Sequence, residues 1–334
     1  MKDTYILAIE TSCDETSMAI IKNGNICVAG TVLSQMDTHA EFGGVIPEIA
    51  SRMHTENITM VLEDTLNKAE MEMSDMDAIA VTFAPGLTGS LLVGLECAKV
   101  LSFVYNKPLI TVNHIAGHIY ACNLISELKF PLLALVVSGG HTEMIIMEAD
   151  YKFKVIGATL DDALGETFDK VARVINLPYP GGPNVEKFAK EGKPAYNLPI
   201  SMKNDLFNFS YSGLKSSIIN LVNKEKAAGN EINPYDLAHS FQNVAIEQLT
   251  RKVENALKEY QLKNMIVAGG VSANNYLREE IKKVTDKYNV DLIIPPIEYC
   301  TDNAAMIGCA AFPLLKTSTF AALDANVSSI DRLF

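Results

Sequence analysis

The sequence contains no Cys-x-x-Cys pair, no long uncharged apolar run and no low-complexity linker. Its six cysteines, at positions 13, 27, 97, 122, 300 and 309, are scattered, which indicates neither a disulfide framework nor a zinc ribbon. The longest uncharged apolar run, 304–315, is 12 residues, contains Pro313 and stops at Lys316. A spanning helix needs roughly 20. Met1-Lys2-Asp3-Thr4-Tyr5 leads straight into a strand-like segment, without the charged n-region, apolar stretch and cleavage site of a signal peptide. The expectation is a soluble, cytoplasmic protein with no membrane partner, built as two tightly joined lobes rather than beads on a string.

Basic residues are also in deficit. Lys+Arg number 28 against 40 Asp+Glu, a net charge of −12. A chain holding nucleic acid alone would present a basic face, because phosphate neutralisation dominates such affinity. The imbalance is uneven: 1–75 holds 4 basic and 13 acidic residues (4 − 13 = −9), whereas 187–226 holds 7 lysines and 3 acids (7 − 3 = +4). An acidic surface kept for solubility explains the excess by itself. The lysine-bearing stretch is the part able to touch nucleic acid.

The 334 residues are 48% hydrophobic and 20% charged, with mean hydropathy +0.13. Wholesale disorder is excluded, and the length suffices for two cores, since single cores stop growing at about 250–300 residues. Strand-like and helix-like runs alternate, which predicts an α/β class. Strands are expected at 4–10, 16–22, 26–33, 77–83, 109–112, 131–137, 143–148, 152–158, 265–268 and 292–294. Helices are expected at 46–69 (Pro47 in the first turn), 89–105, around His114 and His118, near 161–175, 213–225, 233–260, 273–287, and from Asp302 onward. Pro178, Pro180, Gly181, Gly182 and Pro183 break the pattern, so 177–212 reads as an irregular surface insertion.

Residues 6–21 align without a gap on 132–147, an offset of 126 (132 − 6), with six identities including Ser12/Ser138 and Thr16/Thr142. Both segments read apolar strand, small polar turn, apolar strand. Two such openings suggest a duplicated nucleotide clamp whose turns offer backbone N–H groups to phosphate. That architecture belongs to the actin, Hsp70 and sugar-kinase group: two related lobes around a nucleotide cleft. The first is expected over 1–129 plus 313–334 and the second over 130–312. Fold alone leaves kinase, chaperone and transferase open.

His114 and His118 lie four apart, on one face of a helix, as a bidentate metal site requires. Two hydrogen-bonded core histidines would show the same spacing. A zincin would carry Glu directly after the first His; Ile115 stands there instead, which speaks against a peptidase. Asp302, at a helix start, is a candidate third ligand. Two His and one carboxylate suit Fe(II) or Zn(II), and spacing cannot choose between them. Val136-Val137-Ser138-Gly139-Gly140 leaves a strand and enters a glycine turn, where amides can approach an anion; a plain hairpin turn reads the same way. Ala268-Gly269-Gly270-Val271-Ser272-Ala273-Asn274 repeats that logic at a helix start. Asp169 can bind a hydroxyl or pair with Arg173 one turn on. Cys13 has no clear base nearby and reads as a packed thiol.

Together these strings resemble the universal tRNA threonylcarbamoyladenosine transferase family, long labelled O-sialoglycoprotein endopeptidase, over nearly the whole chain. The marks run from the Glu10–Thr16 string, His39, the stretches 43–48 and 50–54 and the loop 85–91 through Asn113-His114, His118 and 138–142. Gly165-Glu166, Phe168-Asp169-Lys170, 179–183, 209–215, Gly269-Gly270-Val271 with Asn274, and 301–307 complete them. The resemblance implies an actin-like fold and a metal on His114, His118 and Asp302, with Fe2+ favoured over Zn2+. It also implies a nucleotide ligand, threonylcarbamoyl-adenylate or ATP/AMP, contacted at Val136, Val137, Ser138, Gly139, Gly140, Asp169, Gly182, Glu186 and Asn274. The activity implied is threonylcarbamoyl transfer to N6 of the adenosine 3′ of the anticodon, in tRNAs reading codons that begin with A, with release of AMP. The implied partners are tRNA, a fold-related paralogue and a small ATPase, as in the bacterial branch. Departures are Ala84 for the usual Gly, Ala116 where many members have Glu, and Glu186 where Asp is common.

Overall fold

In the computed structural model, which describes residues 2–330 and 333, the first strand–turn–strand segment folds as a hairpin. Of the expected first lobe, residues 1, 331, 332 and 334 lie outside the described residues. β1 (Tyr5–Glu10) pairs antiparallel with β2 (Glu15–Lys22), and β2 with β3 (Ile26–Ser34). A short α1 (Met36–Ala40), absent from the sequence expectations, precedes the long α2 (Pro47–Ala69). β4 (Ala78–Ala84), α3 (Thr88–Tyr105), β5 (Leu109–Asn113) and α4 (His114–Tyr120) follow. β4 and β5 run parallel beside β1, giving the order β3-β2-β1-β4-β5.

The second unit opens on β6 (Leu132–Val137), β7 (Thr142–Ala149) and β8 (Lys152–Ala158), followed by α5 (Leu164–Val174), α6 (Gly181–Glu191), α7 (Ser212–Ala227) and α8 (Pro234–Tyr260). β9 (Asn264–Ala268), α9 (Asn275–Tyr288) and β10 (Asp291–Ile293) complete a sheet ordered β10-β9-β6-β7-β8. Read from β8, that order repeats the first sheet. The 126-residue offset carries one register onto the other: Ile6 faces Ile21 as Leu132 faces Met147, and Ile9 faces Met18 as Leu135 faces Met144. The duplication read from sequence is present in the strand pairing.

Both faces of β1 are buried, as expected where helices cover a sheet on each side. Leu7 and Ile9 join Met18, Ile20, Val61, Leu95 and Ala98 in one core. Ala8 and Glu10 face the other way, where α10 (Ala304–Lys316) packs after the chain returns from the second unit. The compact units are Met1–Leu128 with Pro295–Phe334, and Lys129–Ile294. Residues 295–312, expected in the second lobe, therefore belong to the first. The cause is contact: Ala304 N–H donates to Ser17 Oγ at 2.9 Å. Gly308 also lies so close to β1 and β2 that a Cβ there would stand 2.3 Å from Ile21 Cγ1.

Two further expectations change. The 177–212 stretch is not irregular throughout, because α6 forms within it. Gly181, Gly182 and Pro183 occupy its first turn, where backbone N–H groups lack intrahelical partners and proline costs no hydrogen bond. Residues 192–211 lack regular helix or strand, apart from one bridge at Phe209, and are held by α8, through Gln248 Nε2 to Ser210 O at 2.7 Å and Lys252 Nζ to Met202 O at 2.8 Å. Among the described residues α3 is one helix, 18 residues with mean hydropathy 1.3, long and apolar enough to match a bilayer core. Glu96 and Lys99, paired at 2.7 Å, interrupt its uncharged run. Its Leu91, Leu95 and Ala98 are fully buried, as in a core helix.

The Gly308 contact can be tested directly. Gly308→Ala gains helix propensity of up to about 1 kcal/mol but forces overlap with Ile21, a cost of about 1–3 kcal/mol. A net loss is expected as a lower urea midpoint with unchanged m; an unchanged or higher midpoint would contradict the packing described.

Candidate metal centre and substrate-binding turns

α4 begins where β5 ends, because Asn113 caps it: its side chain accepts from Ile115 N at 2.8 Å and Ala116 N at 3.4 Å. The cap places His114 and His118 one turn apart, both buried. Gly117, between them, lets α10 approach so closely that an added Cβ would lie 2.8 Å from Ile307 Cδ1. Asn303 caps α10 by accepting from Met306 N at 3.1 Å, and Asp302 stands just before it. His114 Nε2 lies 3.5 Å and His118 Nε2 3.2 Å from Asp302 Oδ1. The imidazoles meet edge to face, 4.6 Å between centroids.

The donor set fits a divalent metal. One ligand atom from each residue lies within 4.8 Å of the others. The two carboxylate separations approach what ligands about 2.0–2.2 Å from a shared ion would show. His118 is fully buried; among the described residues its Nε2 has Asp302 Oδ1 as its one polar neighbour, and its Nδ1 makes no hydrogen bond. A buried imidazole with a single polar neighbour has coordinating capacity to spare, and that neighbour is itself a carboxylate able to share an ion. The electrostatics agree: burial, then the nearby charges of Asp14 and Asp302, push the Glu15 carboxyl well above its usual range. Burial likewise lowers His118, with the Asp302 contact opposing it. At His114 burial also disfavours charge, but Asp302 and Glu10 outweigh it and raise the ring to about 9. Two nitrogens and one carboxylate leave coordination positions for a substrate oxygen.

Glu10, absent from the expected site residues, reaches His114 Nδ1 at 3.2 Å from the end of β1. Its signal in the sequence was a lone acid closing an otherwise apolar strand. The Cys13 thiol is pushed far up by burial and then by Asp14 and Asp302, which suits the packed thiol expected.

The second unit gathers the other expected residues around α5, α6 and α9. Val136 and Val137 are fully buried in β6. The turn after them is held from behind: Ser138 O accepts from Gly165 N and Gly139 O from Glu166 N, each at 3.2 Å, at the start of α5. Gly139 and Gly140 are exposed, and a Cβ on either would meet nothing within 4 Å. One turn along α5, Asp169 Oδ1 accepts from Gly181 N at 2.7 Å, and the charge of Arg173 also favours its ionised form. Burial raises its pKa, and the Gly181 and Gly182 amides oppose that. Gly182 itself faces open space. Glu186 Oε1 accepts from Asn275 N at 3.2 Å and Asn275 Nδ2 at 2.8 Å. Asn274 caps α9 through Leu277 N at 2.9 Å and donates to Gln242 Oε1 at 2.9 Å, so the buried Gln242 is a support that sequence reasoning missed. Gly269 has φ +89° and sits so near Val137 that a Cβ would fall 2.5 Å from its carbonyl oxygen; glycine is required there.

A family model described as TsaD: tRNA N6-adenosine threonylcarbamoyltransferase matches residues 27–309. The chain belongs to that family. A relative from Anoxybacillus flavithermus named tRNA N6-adenosine threonylcarbamoyltransferase is 53% identical, covering 98% of this chain and 97% of its own. One of the same name from Bacillus subtilis is 52% identical, covering 97% and 94%. Solved structures support the actin-like fold class. Component A of (R)-2-hydroxyglutaryl-CoA dehydratase from Acidaminococcus fermentans superposes with TM-score 0.57 at 15% identity, over 94% of this chain and 99% of that one. A ROK hexokinase from Thermus thermophilus gives 0.53 at 11%, over 95% and 99%. At those identities the likeness concerns the fold alone.

The charge state of His114 sets a pH dependence. With its pKa raised to about 9, the ring is protonated at neutral pH, and a metal must displace that proton. Affinity for Zn2+ or Co2+, measured by dye competition, is therefore expected to rise about tenfold per pH unit from 6 to 8 and to level off above 9. A pH-independent affinity would contradict the assignment of His114.

Proposed function

We propose that the chain transfers the threonylcarbamoyl group from threonylcarbamoyl-adenylate to N6 of the adenosine 3′ of the anticodon, in tRNAs reading codons that begin with A. The observation that carries this reading is the convergence of His114, His118 and Asp302 in a member of the family. In the reaction N6 bonds to the carbamoyl carbon, the bond from that carbon to the phosphate oxygen breaks, N6 loses a proton, and AMP leaves. An aryl amine is a weak nucleophile, so positioning and charge stabilisation carry most of the catalysis.

The open turn at Gly139 and Gly140 receives the donor's phosphate through its amides. Asp169 and Glu186 take ribose hydroxyls, Gly182 leaves room for the sugar, and Asn274 borders the base. His114, His118 and Asp302 hold one divalent ion, Fe2+ in preference to Zn2+. When bound, it supplies Lewis-acid stabilisation of the donor's phosphate or carbonyl oxygen. Bases in an anticodon loop can be splayed out, so no duplex need be opened.

Two features of the chain support a need for partners. The net charge of −12 opposes tRNA, and α3 leaves Val100, Phe103 and Val104 between 60% and 75% exposed. We assign that apolar face to a fold-related paralogue, with a small ATPase completing the assembly, in the cytoplasm where tRNA is modified. A chaperone or sugar kinase would not require the His pair, and a scaffolding paralogue would not retain all three ligands.

The deciding assay supplies unmodified tRNA, threonine, bicarbonate, ATP, the adenylate-forming enzyme and the partners, and resolves nucleosides by mass. Wild type is expected to form threonylcarbamoyladenosine and His114→Ala to lose at least 100-fold in rate, on the order of 3 kcal/mol. Gly140→Val should fold normally yet lose product, because a Cβ there meets no protein atom within 4 Å while the added side chain occupies the turn. Equal product from wild type and His114→Ala would remove the metal from the mechanism; ATP hydrolysis without product would favour a kinase or chaperone.

Binding offers a separate check. Without partners, the chain should bind tRNA weakly and with a steep loss between 50 and 200 mM salt. Tight binding at physiological salt would contradict the need for a basic partner.

A further inference from the structure

Glu10 is fully buried, and both of its carboxylate oxygens serve as acceptors. Oε1 takes the Ser12 N–H at 2.6 Å. Oε2 takes the Thr82 hydroxyl at 2.5 Å and faces His114 Nδ1 at 3.2 Å. A lone pair on Nδ1 would confront the lone pairs of Oε2, so the ring carries a proton there. Ser12 Oγ, 3.1 Å from the same nitrogen, then also accepts. With Nδ1 protonated, Nε2 is the atom left to bind a metal, and it is Nε2 that faces Asp302.

The internal repeat provides a control. Glu10 corresponds to Val136 (10 + 126 = 136), at the end of the equivalent strand. Beside Glu10, one step beyond the Ile9–Val81 pair, stands Thr82; beside Val136 stands Ala268. The unit that carries the histidine pair thus has a carboxylate and a hydroxyl where the other has two aliphatic side chains. A buried carboxylate is expensive unless it is fully bonded, and the equivalent strand end of the second unit has the same pairing with no carboxylate in it.

We infer that Glu10 is a positioning residue for the metal centre. It holds His114 in the Nδ1–H form with Nε2 free, and through Ser12 it ties that ring to the turn between β1 and β2. The inference rests on reading His114, His118 and Asp302 as metal ligands. Orienting partners of this kind contribute about 10–100-fold to metal affinity.

The test titrates the full-length protein with Co2+ and follows its visible absorption, for wild type, Glu10→Gln and His118→Ala. Glu10→Gln keeps the shape but turns an NH2 toward a donor. Wild type should bind one Co2+, His118→Ala should lose the band, and Glu10→Gln should bind about 10–100-fold more weakly with a shifted band. A band that survives in His118→Ala overturns the metal assignment itself. A band lost in His118→Ala but unchanged in position and affinity in Glu10→Gln overturns the role of Glu10 and leaves the metal assignment standing. If Glu10→Gln does not fold, 15N–1H correlation spectra of zinc-loaded wild type decide. A slowly exchanging His114 Nδ1–H with zinc on Nε2 is expected, and zinc on Nδ1 overturns the proposal.

Discussion

The packing of α10 onto β1, β2 and α4 is the contact on which the meeting of His114, His118 and Asp302 depends. It is made possible by two glycines: Gly308 lets the helix approach the sheet, and Gly117 lets it approach the histidine-bearing helix. Neither touches the candidate metal. Both determine where Asp302 ends up, because the segment before α10 is fixed by Ser17 and Asn303 once the helix is seated. A few tenths of an ångström at either glycine would be felt in the spacing of the three ligand atoms, since close-packed interiors pass strain on rather than absorb it.

The two units show how one topology can carry different chemistry. Their sheets share strand order and hairpin register, and in each a glycine presses against the turn serine: Gly86 against Ser12 O, Gly165 against Ser138 O. The differences lie at strand ends. In one unit the end of the first strand is charged and bonded to an imidazole. In the other it is aliphatic and leads into two open glycines. The framework is the same in both, and a handful of substitutions makes one strand end a buried carboxylate beside an imidazole and the other an open glycine turn.

Much of this was legible in the sequence because it is local. The strand–turn–strand openings, the helix with its His pair and the glycine turns each declare themselves within 16 residues or fewer. Asp302 was found as a motif and a helix start, but its meeting with His118 depends on long-range packing that periodicity cannot express. The lobe boundary failed for that reason: α10 follows the second unit in sequence and belongs to the first by contact. The helix at 181–191 was hidden by glycines and prolines that usually interrupt structure, yet are harmless in a first turn. Glu10 was missed because a single buried acid closing an apolar strand carries no spacing signal, and Gln242 because nothing in an amphipathic helix marks which polar residue turns inward. The role of each appears only once its donors and acceptors are counted.

The return of the chain to its first unit also has a consequence for biosynthesis. Residues 1–128 emerge from the ribosome first, and domains tend to fold in that order. Here, however, the first unit lacks its last helix until the whole second unit has been made. The histidine pair is therefore synthesised long before Asp302, and any product truncated before residue 302 has two of the three candidate ligands. The candidate centre can come together only in a polypeptide translated past the second unit.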